Sequence, residues 1–136
     1  MSEAKLNQII LSSGSIRNYG MDRVFKIAAG CGFDGVEVIV DERTDTVHDD
    51  YLRELIEHYQ IPVPVIHAPF EFLQPPGWGK DEIRRTRLSV RLAEKLGADS
   101  VVLHTPFYTN RRFRRWLENG LKNYQENTDI LILVEN

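Results

Sequence analysis

The feature that most constrains this chain is a rhythm. Short aliphatic and β-branched runs alternate with longer amphipathic stretches from one end to the other. Five runs read as strands: Leu6–Leu11, Gly35–Val40, Val63–Ala68, Ser100–Thr105 and Ile130–Glu135. Their starts fall 29, 28, 37 and 30 residues apart. VEVIV, PVIHA, SVVLH and DILILVE are nearly continuous in apolar residues. Such runs are expected of parallel strands covered on both faces.

Four amphipathic segments separate the strands. The spacing predicts helices over Met21–Ala29, Asp49–Tyr59, Asp81–Leu96 and Arg111–Gln125. Gly30 and Gly32 stop the first, and Gly97 closes the third. Asp49 and Asp50 place negative charge at the positive end of the second helix dipole, and Pro62 prevents its continuation. Asn110 is an N-cap candidate for the fourth. The order is therefore β-α-β-α-β-α-β-α-β, which implies parallel strands joined by helical crossovers. There is internal similarity too. GFDGV and GADSV each carry a glycine, then an aspartate, into a strand, and VIHAP echoes VLHTP.

Composition narrows the function classes. The chain has 136 residues, 42% hydrophobic and 27% charged, which suits a water-soluble globular domain. No apolar run approaches the roughly 20 residues of a membrane span. MSEAKLNQ carries no apolar signal core, so a cytoplasmic location is expected. The single cysteine, Cys31, has no internal disulfide partner and is expected to be a small buried residue. A net charge of −3 gives no general attraction to nucleic acid. Two arginine runs stand out locally, Arg84, Arg85, Arg87 and Arg91, then Arg111, Arg112, Arg114 and Arg115. Charge runs of this kind are expected to be solvated helix faces.

Chemistry-bearing residues gather at strand ends. Glu37, His67, His104 and Glu135 are polar interruptions of otherwise apolar strands, and they are expected on one rim around a shared cavity. Two histidines and two carboxylates suit a divalent metal, and equally suit general acid–base work. Glu37 also reads as an outward, solvated side chain, since alternation leaves its direction open. Gly14, Gly77 and Gly79 fit neither phosphate-loop pattern nor dinucleotide fingerprint. The irregular stretch Phe70–Lys80 is long enough to be functional and is expected to flank the same cavity.

GFDGVEV, VIHAP, VVLHTP and LILVEN, in this order, resemble the xylose-isomerase-like TIM-barrel superfamily. That superfamily contains sugar-phosphate isomerases and epimerases, inositol-catabolism enzymes and the apurinic endonucleases of the second structural family. The resemblance implies an α/β fold, a parallel (β/α) barrel of TIM type truncated to about five strands and four helices. Residues 1–136 would form the N-terminal part of a single barrel domain. Glu135 is similar to the family's first metal-ligand carboxylate and a candidate proton-transferring base. His67 and His104 match rim histidines that bind metal in the endonuclease branch and touch substrate in the isomerase branch. Glu37 matches a second-strand acid that contacts substrate, and Trp78 and Phe70 an apolar wall against a sugar.

The implied activity is a metal-dependent sugar or sugar-phosphate isomerase or epimerase, using Mn, Zn, Mg or Co, with a small sugar or polyol as substrate and no membrane or nucleic-acid partner. A zinc-dependent apurinic-site endonuclease and a non-catalytic barrel fragment are the alternatives. A barrel normally has eight strands. A five-stranded piece is therefore expected to hold an incomplete metal site, to be inactive alone, and to self-associate through exposed sheet edges.

Overall fold

The computed structural model describes residues 7–136. It contains one five-stranded parallel sheet in the order β1-β2-β3-β4-β5. The strands are β1 (Ile10–Ser12), β2 (Gly35–Ile39), β3 (Val65–His67), β4 (Ser100–His104) and β5 (Leu131–Glu135). The helices are α1 (Met21–Cys31), α2 (Asp49–Tyr59), α3 (Glu82–Leu96), α4 (Arg111–Asn119) and α5 (Leu121–Gln125). Short 3-10 turns at Ser13–Ile16 and Thr44–Thr46 follow the first two strands.

Local chemistry sets the boundaries. α1 ends on Gly32 in the left-handed region (φ 76°), whose N–H donates to the Ala28 and Ala29 carbonyls. α3 is capped by Asp81, whose carboxylate accepts the Ile83 N–H, and ends on left-handed Gly97. The expected fourth helix divides at Gly120. A Cβ there would stand 2.7 Å from the Trp116 ring, so the chain keeps a glycine and bends. The first strand begins later than expected, at Ile10, and Leu6 lies outside the described residues.

β3 is shorter than expected because of its prolines. Pro62 and Pro64 have no N–H to give a ladder. Their carbonyls still accept: Pro62 takes the Val36 N–H at 2.9 Å, and Pro64 takes those of Asp99 and Ser100 at 2.9 and 3.2 Å. Gly35 makes room for this entry, since a Cβ would lie 2.8 Å from the Pro64 ring.

Paired residues of a parallel ladder share a face, and neighbours along a strand alternate. One face carries Val36, Val38, Ile66, Val101, Leu103 and Ile132, all buried. It packs on Val24, Phe25 and Ala28 of α1, Leu52 and Leu55 of α2, and Val90 and Ala93 of α3. Each such aliphatic side chain contributes about 1.5–3 kcal/mol through burial. The other face carries Glu37, Ile39, His67, Val102, His104, Leu131, Leu133 and Glu135. Leu131 and Leu133 are 54% and 44% exposed, so among the described residues nothing covers this face at β5.

Two expectations are corrected. Cys31 is exposed: it is the last residue of α1, just before the left-handed Gly32 that ends the helix. Arg85 is no solvated residue; it is 1% exposed beneath the loop after β3. No helix among the described residues is long and apolar enough to cross a membrane.

Candidate metal centre

Three of the expected residues meet. His67, His104 and Glu135 each offer a ligand atom, and these atoms all lie within 4.8 Å of one another. The register explains the meeting. His104 pairs directly with Glu135 across β4 and β5, and His67 sits on the same face of β3, level with Val102. His67 is buried, His104 half-buried and Glu135 exposed.

The hydrogen-bond pattern leaves the Nε2 lone pair of His67 pointing at Glu135. His67 Nδ1 lies 2.8 Å from the Ala68 carbonyl, which only accepts, so Nδ1 carries the proton. In the neutral ring Nε2 is then an unprotonated acceptor, the arrangement that orients metal-binding imidazoles. That Nε2 stands 3.4 Å from Glu135 Oε2, and His104 Nε2 stands 3.5 Å from the same oxygen. The His67 Nε2 lone pair and the Glu135 oxygen repel each other unless a proton or cation lies between them. Ligands about 2.0–2.1 Å from a tetrahedral ion are about 3.3 Å apart. The donor set and its spacing therefore fit a divalent cation.

Phe70 packs on both imidazoles, with ring centroids 5.0 Å from His67 and 4.5 Å from His104. Its loop is tied down from two sides. Arg85 donates to the carbonyls of Gly79 (2.6 Å), Glu71 (3.3 Å) and Phe70 (3.4 Å), and to Glu82 Oε1 (3.2 Å). Glu71 in turn accepts from the Phe107 N–H at 3.0 Å and from Asn110 Nδ2 at 2.9 Å, linking the loops after β3 and β4. A cavity of about 250 Å³ opens between these loops, with Phe70, His104, Phe107, Glu82 and Arg85 in its wall. Burial pushes the Glu82 carboxyl up from 4.5 to about 7, although Arg85 pulls it down.

Two expected site residues stand apart. Glu37 faces the same side as the histidines but pairs with Val65, two residues before His67, so it lies deeper than the cluster. Trp78 packs against the hydrophobic core, and its carbonyl accepts from Arg84 Nη1 at 2.6 Å. Of the two expected wall residues, Phe70 lines the cavity together with Phe72, while Trp78 lies partly buried against the core. The sequence reading missed Glu71, Glu82 and Arg85. Only the long loop before α3 hinted that buried partners were needed to hold it.

The family profile for the xylose isomerase-like TIM barrel matches residues 25–135. The chain belongs to this family. It is 33% identical over 126 residues to an uncharacterised protein of Mycobacterium leprae, covering 93% of the chain and 45% of the relative. An uncharacterised Mycobacterium tuberculosis protein is 32% identical over the same length, again with 93% and 45% covered. The chain thus spans about half the length of the curated relatives it matches. A crystal structure of a Sinorhizobium meliloti protein superposes with a TM-score of 0.67 at 17% identity, covering 94% of the chain and 50% of that protein. This likeness shows the fold, an α/β sheet consistent with part of a TIM barrel.

Proposed function

We propose that this chain supplies part of the divalent-metal site of an isomerase or epimerase acting on a sugar or sugar phosphate. One observation carries the reading: His67, His104 and Glu135 converge at the carboxyl ends of neighbouring strands, where barrel enzymes of this kind place their chemistry. A bound divalent ion would polarise a substrate carbonyl and its neighbouring hydroxyl. Glu135 would hold the ion through its carboxylate and would also serve as the base that carries a proton between substrate carbons. His67 is held rigidly through Ala68, His104 is oriented beside it, and Phe70 offers an apolar surface to a sugar ring. Among Mn, Zn, Mg and Co, two imidazoles in a set of three ligands favour Zn or Co over Mg.

The test has two arms. Calorimetric titration of the chain with Zn²⁺ and Mn²⁺ checks the site, and Glu135→Gln is expected to weaken binding at least tenfold. Deuterium incorporation from D₂O into pentoses, hexoses and their phosphates checks the reaction, run on this chain and on the M. tuberculosis relative. Metal binding unchanged by E135Q sinks the site; no exchange in either protein sinks the isomerase reading.

A second reading, a zinc-dependent apurinic-site endonuclease, is favoured by the convergence of both histidines on one carboxylate. Against it, six of the eight arginines in the two runs line clefts between α3 and α4 that do not include His104. Cleavage of an abasic-site oligonucleotide by the zinc-loaded chain would reverse the preference.

A further inference from the structure

The outer surface holds a second concentration of chemistry, independent of the metal centre. Two adjoining clefts run between α3 and α4 and share Ile83, Arg112 and Trp116. Their walls carry Arg84, Arg87, Arg91, Arg111, Arg112 and Arg115. These are six of the 17 basic residues of a chain whose net charge is −3. Their order follows helix geometry. Arg84, Arg87 and Arg91 recur at three- and four-residue spacing on one side of α3, and Arg111 and Arg115 do so on α4.

Six guanidiniums in one trough repel each other unless anions relieve them. Within the described residues, the only carboxylate paired with any of these six is Asp81, at 3.5 Å from Arg112. Arg84 leans on the Gly77 and Trp78 carbonyls, and Arg87 lies over the Tyr124 ring. The floor is apolar, made by Ile83, Leu88 and Trp116. No lysine lines either cleft. A purely arginine wall matches carboxylates through two parallel N–H donors, which lysine cannot do.

We propose that the α3–α4 trough is a docking site for an acidic, amphipathic polypeptide segment of a partner protein. Carboxylates of the segment pair with the arginine walls, while its apolar side chains, spaced at helical intervals, sit on Ile83, Leu88 and Trp116. This is the helix-in-groove mode with charged margins. Nucleic acid fits less well. Trp116 is the only aromatic side chain lining either cleft, and Phe113 (6.0 Å, 16°) and Tyr124 (5.9 Å) already pack on its ring, so the trough has no series of platforms on which successive bases could stack.

The probe is a fluorescein-labelled 16-residue peptide with leucines at three- and four-residue spacing and glutamates elsewhere. Its binding to the full chain is read by fluorescence anisotropy, beside a single-stranded oligonucleotide of the same length. The peptide is expected to bind, to weaken as NaCl rises, and to lose at least tenfold in affinity with the double variant R87E/R112E. Arg114→Glu, outside both clefts, is expected to leave affinity within twofold. Circular dichroism and thermal unfolding confirm that the variants fold, and R91Q/R115Q serves if the charge reversal does not. Three results each overturn the proposal: no peptide binding at 50 mM salt, equal loss with Arg114→Glu, or tighter binding of the oligonucleotide.

Discussion

Replacing Glu82 with glutamine is expected to change how the protein's stability varies with pH. The Glu82 side chain is 10% exposed in the cavity wall, and burial holds its proton up to about 7 instead of 4.5. The neighbouring Arg85 guanidinium is already solvated by three backbone carbonyls, so it does not require an ionised carboxylate beside it. An acid raised in the folded state stabilises the fold fully below its unfolded value, and that contribution is lost as pH rises toward the folded value. Here the loss falls between about pH 4.5 and 7. The gap corresponds to about 3.4 kcal/mol as a ceiling, and water entering the cavity reduces it to about 2 kcal/mol. Glutamine keeps the shape and hydrogen-bonding of the protonated acid and does not titrate. Urea unfolding at pH 5 and pH 8 should therefore show E82Q gaining about 2 kcal/mol on the wild type between the two conditions. Parallel curves, agreeing within about 0.5 kcal/mol at both pH values, would refute the raised acid and with it the account of Arg85.

Arg85→Met should cost about 3–5 kcal/mol, because Glu82 and three carbonyls lose a buried donor; chemical denaturation measures it. Glu71→Ala releases the Phe107 and Asn110 donors, and hydrogen exchange should accelerate in the loop after β4 while the β4 amides stay protected. Gly120→Ala drives a methyl group into the Trp116 ring, with an expected loss of about 1–3 kcal/mol in thermal unfolding. The exposed leucines of β5 should promote self-association, seen as concentration-dependent sedimentation that Leu131→Lys and Leu133→Glu reduce.

The βα rhythm was legible because strands and helices here announce themselves locally. Val38–Val40 and Val101–Leu103 are aliphatic runs, and Gly32 and Gly97 are left-handed stops that few other residues tolerate. His67, His104 and Glu135 were legible for the same reason, as polar residues where a buried strand ends. Glu37 shares their face, but pattern alone does not say how far strands are staggered, and depth along the sheet follows from stagger. The burial of Arg85 was not legible because its surroundings, like those of Trp78, come from a loop path. Residue type favoured Arg85 in water, whereas the fold of residues 70–80 closes over it and packs Trp78 partly against the core.

The proline entry of β3 has a consequence at the opposite end of the sheet. Pro64 pins β3 to β4 through one carbonyl that receives two amides, and Gly35 lets that proline seat against β2. Pro64 is three residues from His67, about 10 Å along an extended chain. Displacing the proline slides β3 lengthwise, and a slip of one residue would turn His67 from Glu135 into the helix layer. The aim of an imidazole is thus indexed by two residues that never approach it. Gly35→Ala, which touches no ligand, should lower metal affinity more than many changes made beside the cluster itself.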